Sequence, residues 1–117
     1  MKKKRREFGK HYLVEFTGCD PETIKYTGSV EKIFLKAARK SKARIVEYYF
    51  HQYRPFGVTG IILIKWSHFS LHSWPEDNYV AFDVFTCGEM KPEVAIEVIK
   101  QGFRARAVKT RVISRGY

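Results

Sequence analysis

Apolar residues recur along this chain with two different periods. Val30, Ile33, Phe34, Ala37 and Ala38 fall at i, i+3, i+4, i+7 and i+8, the spacing that gathers side chains on one face of an α-helix. Ser29 precedes the run and is read as its N-cap. Val94, Ala95, Val98 and Ile99 make a second stripe behind Pro92. The fixed φ of proline suits a first helical position, and Gly102 is read as the stop. Six further segments are rich in β-branched and aromatic residues and are read as strands: His11–Phe16, Arg44–Tyr53, Val58–Trp66, Ser67–Ser73, Val80–Thr86 and Ala107–Ile113. Pro21, Pro55 to Gly57, Pro75 to Asn78 and Gly88 punctuate them. The order is β-α-β-β-β-β-α-β. Its economical packing is an α+β two-layer sandwich, a largely antiparallel β-sheet with two helices packed on one face. The first half loosely mirrors the second without repeating it in sequence. No linker interrupts the pattern, so residues 1–117 are read as one domain.

A chain of 117 residues has no room for a separate cofactor-binding domain. With 22 Lys+Arg against 12 Asp+Glu, the net charge is 22 − 12 = +10, which first suggests a nucleic-acid or anion binder. Five of those charges sit in Lys2 to Arg6, and residues 1–7 are read as a basic flexible tail. No apolar segment of signal-peptide length follows it. The other basic residues spread over Lys32–Arg44 and Lys100–Arg115 as solvated faces, and no nucleic-acid-binding motif joins them. Nucleic acid is therefore not an expected partner. No apolar run reaches the ~20 residues that span a bilayer, so a membrane is not expected either. Cys19 and Cys87 are too few for a disulfide scaffold, and a cytoplasmic location with reduced thiols is the expectation.

Residues 57–88 hold most of the candidate chemistry: Thr59, Ser67, His68, Ser70, His72, Ser73, Glu76, Asp83 and Cys87. His68, His72 and Cys87 suggest a metal site. However, two histidines four residues apart on a strand stand ~13 Å from each other, so no metal is expected. Ser67 or Cys87 with a histidine suggests nucleophilic catalysis. Alternation places Ser67 and His72 on opposite faces of a strand, so their cooperation needs a bulge, a bend or a break near Ser67. Residue by residue, the same stretch also reads as an ordinary half-exposed strand.

Longer blocks add a resemblance. Gly9-Lys-His11 with Glu15 and Cys19-Asp20, then Phe50-His51 with Pro55-Phe-Gly-Val-Thr-Gly60, then Ser67-His-Phe-Ser-Leu-His-Ser-Trp-Pro-Glu76, then Tyr79 to Gly88, together resemble the prokaryotic S-adenosylmethionine decarboxylases. These are small pyruvoyl-dependent enzymes of polyamine synthesis. The resemblance spans roughly residues 8–105. It implies a proenzyme that cuts itself between Trp66 and Ser67 into a β chain, 1–66, and an α chain, 67–117. Ser67 is then the nucleophile of self-cleavage and becomes the pyruvoyl group that forms a Schiff base with substrate. The resemblance makes His72 the processing base, Thr59 an assisting hydroxyl and Cys87 the proton donor to the substrate carbon. Glu15 and His68 are carried over as substrate-binding residues, Glu76 and Asp83 as structural acids, and Phe8 and Tyr12 as candidates to stack on adenine. No metal and no pyridoxal phosphate are implied.

The implied partners are S-adenosylmethionine and a second copy in a homodimer, and the product is the aminopropyl donor for spermidine. The chain departs from the family at Trp66, where the family has glutamate. Two other readings follow from that departure: a pyruvoyl-dependent decarboxylase of another amino acid such as arginine, or a non-processing paralogue acting as a regulatory or binding subunit.

Overall fold

The computed structural model describes residues 4–86 and 88–117. Along the chain run β1 (Glu7–Thr17), α1 (Thr27–Lys40), β2 (Ile45–Gln52), β3 (Val58–Ile64), β4 (Ser67–Trp74), β5 (Tyr79–Thr86), α2 (Pro92–Phe103) and β6 (Ala107–Gly116). Short 3₁₀ turns at Pro21–Thr23 and Pro75–Asp77 follow β1 and β4. The strands form one open sheet in the order β2-β3-β4-β5-β1-β6, with every neighbouring pair antiparallel. This is the expected α+β architecture.

Alternation divides the sheet into two faces. Phe69, Leu71 and Ser73 of β4, Val80, Phe82 and Val84 of β5, and Val14 and Phe16 of β1 are buried on the helix side. Their sequence neighbours His68, Ser70, His72, Ala81, Asp83 and Glu15 are only partly covered on the other side. Phe34 of α1 is fully buried at the centre of the core. Its ring meets Phe50, Phe69 and Phe82 edge-on at centroid separations of 6.0, 5.7 and 5.5 Å, the arrangement aromatic quadrupoles favour.

Two helix boundaries differ from the sequence reading, each for a tertiary reason. Helix α1 begins two residues before Ser29, with Tyr26 at the N-cap and no side-chain cap of its own. The Thr27 N–H instead donates to Oε1 of Gln52 on β2, at 2.8 Å, so a strand supplies the cap. Ser29 turns back and donates to the carbonyl of Thr23. Helix α2 starts at Pro92 as expected but continues through Gly102 to Phe103, and Arg104 adopts the left-handed cap at φ 54°. Gly102 is there for packing: a Cβ would lie 2.5 Å from Cγ2 of Ile33 on α1. The basic tail is also shorter than residues 1–7. Glu7 already belongs to β1 opposite Gly116, and the Tyr117 N–H donates to the Arg6 carbonyl at 2.8 Å. Residues 1–3 of that tail lie outside the described residues.

Truncating Phe34 to Ala should cost about 3–5 kcal/mol, because the removed ring fills the meeting point of helix and sheet. Denaturant unfolding of the Phe34→Ala variant against the parent measures it, and a loss under 1 kcal/mol would show that the core is not organised around this ring.

Candidate active site

Strands β3 and β4 are joined by two residues only, Lys65 and Trp66, between the paired Ile64 and Ser67. Tight hairpin loops favour backbone conformations that side chains resist, and Trp66 adopts φ 154°, a region rarely taken by non-glycine residues. Its indole is 80% exposed with the Lys65 ammonium 5.2 Å above the ring. The Lys65 N–H donates to the Arg44 carbonyl at 2.8 Å and anchors the tip. Beside it opens a cavity of about 370 Å³ whose walls include Arg44, Trp66, Ser67, Phe85, Thr86 and Met90. The Thr86 hydroxyl is buried and finds no hydrogen-bond partner among the described residues. Cys87 lies outside the described residues, while its neighbours Thr86 and Gly88 line this cavity.

Thr59 of β3 is directly paired with His72 of β4, and its hydroxyl lies 2.7 Å from the His72 Nδ1. It also donates to the Tyr53 hydroxyl at 3.1 Å. The His72 ring rests on Trp74 at 3.9 Å between centroids, and Trp74 stacks on Tyr79 at 5.3 Å. Burial lowers the His72 pKa below the usual imidazole value, with Glu76 partly opposing the shift. The imidazole is thus kept neutral, the form a base requires.

A third cluster lies on the same open face. His68 and His11 both stand opposite Phe85, one from each flanking strand. Asp83, two residues along β5, receives both: Oδ2 lies 2.6 Å from His11 Nε2 and 3.3 Å from His68 Nε2. Ser70, paired with Asp83 across the ladder, donates to the other carboxylate oxygen. Burial alone would raise the Asp83 pKa, but the hydrogen bonds from Ser70 and His11, together with His68, outweigh it and hold it below the ordinary value.

The residues singled out from sequence therefore fall at separate places. Ser67 and His68 sit at one end of β4, and Thr59 with His72 at the other. The β3–β4 ladder runs unbroken from Ser67 to His72, with no bulge to bring the two together. Five residues of strand put them ~16 Å apart. Glu15 receives the Tyr79 hydroxyl on the open face of β1. Of the aromatic candidates, Phe8 packs on Tyr117 at 5.8 Å and Tyr12 is partly buried against the core. His68 meets His11 and Asp83 rather than the other members of the metal set considered from sequence. Only Ser70 and Asp83 of that cluster share the 57–88 stretch with His68; His11 is 72 residues from Asp83. The single local signal was polar alternation at 68 and 70.

The cavity, the turn hydroxyl and the hydroxyl–imidazole pair are carried on one α+β sheet. The chain belongs to the S-adenosylmethionine decarboxylase family, whose model matches residues 10–116. It is 41% identical over 109 residues to the S-adenosylmethionine decarboxylase proenzyme of Thermodesulfovibrio yellowstonii, covering 92% of this chain and 81% of the relative. The proenzyme of Pyrococcus horikoshii is equally similar, at 41% with 92% and 78% covered. Among solved structures, the adenosylmethionine decarboxylase of Aquifex aeolicus superposes with a TM-score of 0.88 at 26% identity, over 96% of this chain and 93% of that one. A Trypanosoma brucei AdoMetDC-delta26 monomer shares the fold, with a TM-score of 0.68 at 14% identity over 88% of this chain and 45% of its own.

Because the Asp83 pKa is lowered in the fold, its carboxylate contributes stability above the unfolded value of about 3.9, and that contribution is lost as pH falls through the lower folded value. Stability measured from pH 7 down to pH 2 should show this loss in the parent and a flatter curve in Asp83→Asn. Parallel curves would show that the cluster adds no net stability.

Proposed function

We propose that this chain decarboxylates S-adenosylmethionine, producing the aminopropyl donor for spermidine, after cutting itself between Trp66 and Ser67 into chains 1–66 and 67–117. The observation that carries this reading is the position of that bond. It lies at the tip of a two-residue hairpin, beside an exposed residue with φ 154°, and it opens on the cavity that Ser67 lines. The unusual φ of Trp66 supplies strain of ~1–3 kcal/mol next to the bond to be broken, without help from the side-chain carboxylate that relatives carry there.

In the cleavage, Oγ of Ser67 forms a bond to the Trp66 carbonyl carbon, the amide C–N bond breaks, and the freed nitrogen takes the hydroxyl proton. Removal of the Ser67 α-proton then expels the Trp66 carboxylate. Hydrolysis of the remaining chain end, with loss of ammonia, leaves a pyruvoyl group on residue 67. That group supplies the electron sink which decarboxylation requires. Two features suit residue 67 to carry it: the open cavity at its side, and the buried Thr86 hydroxyl at the cavity wall, which has no partner among the described residues. Cys87 returns a proton to the substrate carbon, and His68 and Glu15 stand on the open face as substrate-binding groups.

The base for the α-proton is His72, oriented by Thr59. Its own Ser67 is ~16 Å away along β4, so His72 serves the Ser67 of a second copy whose open sheet face meets this one. Leu13, Ile61, Leu63 and Ile113, partly or well exposed on that face, provide apolar area for such a homodimer.

Intact mass of the purified protein tests the cleavage. Fragments meeting at Trp66 and Ser67 are expected, with Ser67→Ala remaining whole. A stable uncut chain that releases no CO₂ from carboxyl-labelled S-adenosylmethionine would overturn the reading. A cut chain active only on arginine would replace the substrate and keep the mechanism.

His72→Ala should slow cleavage by ~10²–10⁴-fold. Co-expression of Ser67→Ala with His72→Ala should restore cutting of the His72→Ala chain, whereas absence of rescue would sink base sharing between copies. A base works unprotonated, and the lowered His72 pKa keeps it so to lower pH. The cleavage rate should therefore stay level down to the ordinary imidazole value of about 6.5 and fall only below it.

A further inference from the structure

The cluster of His11, His68 and Asp83 has the makings of a ligand set, and it includes His68, a side chain proposed above to meet substrate. We propose that His11 Nε2, His68 Nε2 and Asp83 Oδ2 form a binding site for a divalent ion of the zinc type. The three ligand atoms lie within 4.8 Å of one another, and the inference rests on these side chains alone, whether or not the chain cuts itself.

Three neighbouring strands hold the donors in place. Asp83 lies on β5, between His68 on β4 and His11 on β1. Ligand atoms about 2.0 Å from a tetrahedral ion stand about 3.3 Å apart. The Asp83–His68 separation is already 3.3 Å, and the Asp83–His11 separation of 2.6 Å needs to open by less than 1 Å. The imidazole planes cross at 90°, so the two rings approach the carboxylate from different directions. Two nitrogens and one carboxylate oxygen suit Zn²⁺, Co²⁺ or Fe²⁺ rather than the all-oxygen shells of Mg²⁺ or Ca²⁺. Ser70, donating to the far carboxylate oxygen, fixes the carboxylate as outer-shell partners do in metal sites. The side chains of His11, His68 and Asp83 are 19, 34 and 24% exposed in a single copy, so an ion can enter before the open faces of two copies meet.

Arg115 opposes the ion. Its Nη1 donates to the His11 Nδ1 at 3.2 Å. Arginine only donates, so that nitrogen carries no proton, and the ring proton sits on Nε2, donated to Asp83. A metal needs the Nε2 lone pair. The proton must move to Nδ1, where it faces the guanidinium. No proton is released overall; the neutral ring changes tautomer and the exposed Arg115 swings away. The resting state is thus a hydrogen-bonded triad that an ion converts into a ligand set.

Titration of the purified full-length chain with Co²⁺, followed by its visible d–d absorption, tests the site, with Zn²⁺ as competitor. One Co²⁺ per chain is expected, displaced by Zn²⁺. Asp83→Asn and His68→Gln should abolish the band, and Ser70→Ala should weaken binding about tenfold. His72→Ala should leave the band unchanged. Arg115→Ala, a surface change that spares the fold, should tighten binding several-fold. A parent chain without the band overturns the proposal. So does a band that survives Asp83→Asn, or one that His72→Ala removes. Far-ultraviolet circular dichroism of each variant separates loss of ligand from loss of fold.

Discussion

The chain is organised around the register of β4. Phe69, Leu71 and Ser73 are held on the helix side, the first under Phe34 and the last by two hydrogen bonds. Ser73 Oγ donates to the Ile24 carbonyl at 2.7 Å and accepts from the Val58 N–H at 3.0 Å. A slip of one residue would bury His68, Ser70 and His72 and expose Phe69. The burial of these three side chains therefore places His68, Ser70 and His72 on the open face and Ser67 on the opposite one. It also places Ser67 and His72 at opposite ends of one rigid element, so that one copy of the sheet cannot bring them together.

The hairpin at Lys65–Trp66 depends on that register. With Ile64 and Ser67 paired, only two residues remain to reverse the chain, and Trp66 takes a conformation that a side chain resists. An indole is tolerated there because it points into solvent beside Lys65. The backbone, rather than the identity of the side chain, is what sets the Trp66–Ser67 bond apart from its neighbours.

The open face is where the electrostatics concentrate. Asp83 is surrounded by Ser70, His11 and His68, and its hydrogen bonds outweigh the cost of burying it. His72 is kept neutral by desolvation. Tyr79 is pushed up to about 12 by burial and by its bond to Glu15. Cys19, by contrast, is packed in the core beneath the sheet and raised to about 11 by burial alone, which leaves it an inert thiol. Reactive and inert titratable groups are thus separated by the two faces of one sheet.

Much of this was legible in the residues. Helical and strand periods report which face of each element meets the core, and that is a local property. The order of elements, the antiparallel sheet and the two helices follow from it, while Ser67, Thr59 and His72 could be given roles only through longer blocks shared with a family. The boundaries that differ involve a second element: Gln52 of β2 caps α1 in place of Ser29, and Ile33 of α1 needs the space at Gly102. The net charge of +10 said little about function, because much of it lies in the basic run at the start of the chain and on exposed faces. What the sequence by itself determined was the two-faced sheet, with Ser67 proposed as its reactive serine. Only the tertiary structure decided that Ser67 stands apart from His72 and that His11 joins Asp83 and His68, because pairing between distant strands is set by register and not by any local pattern.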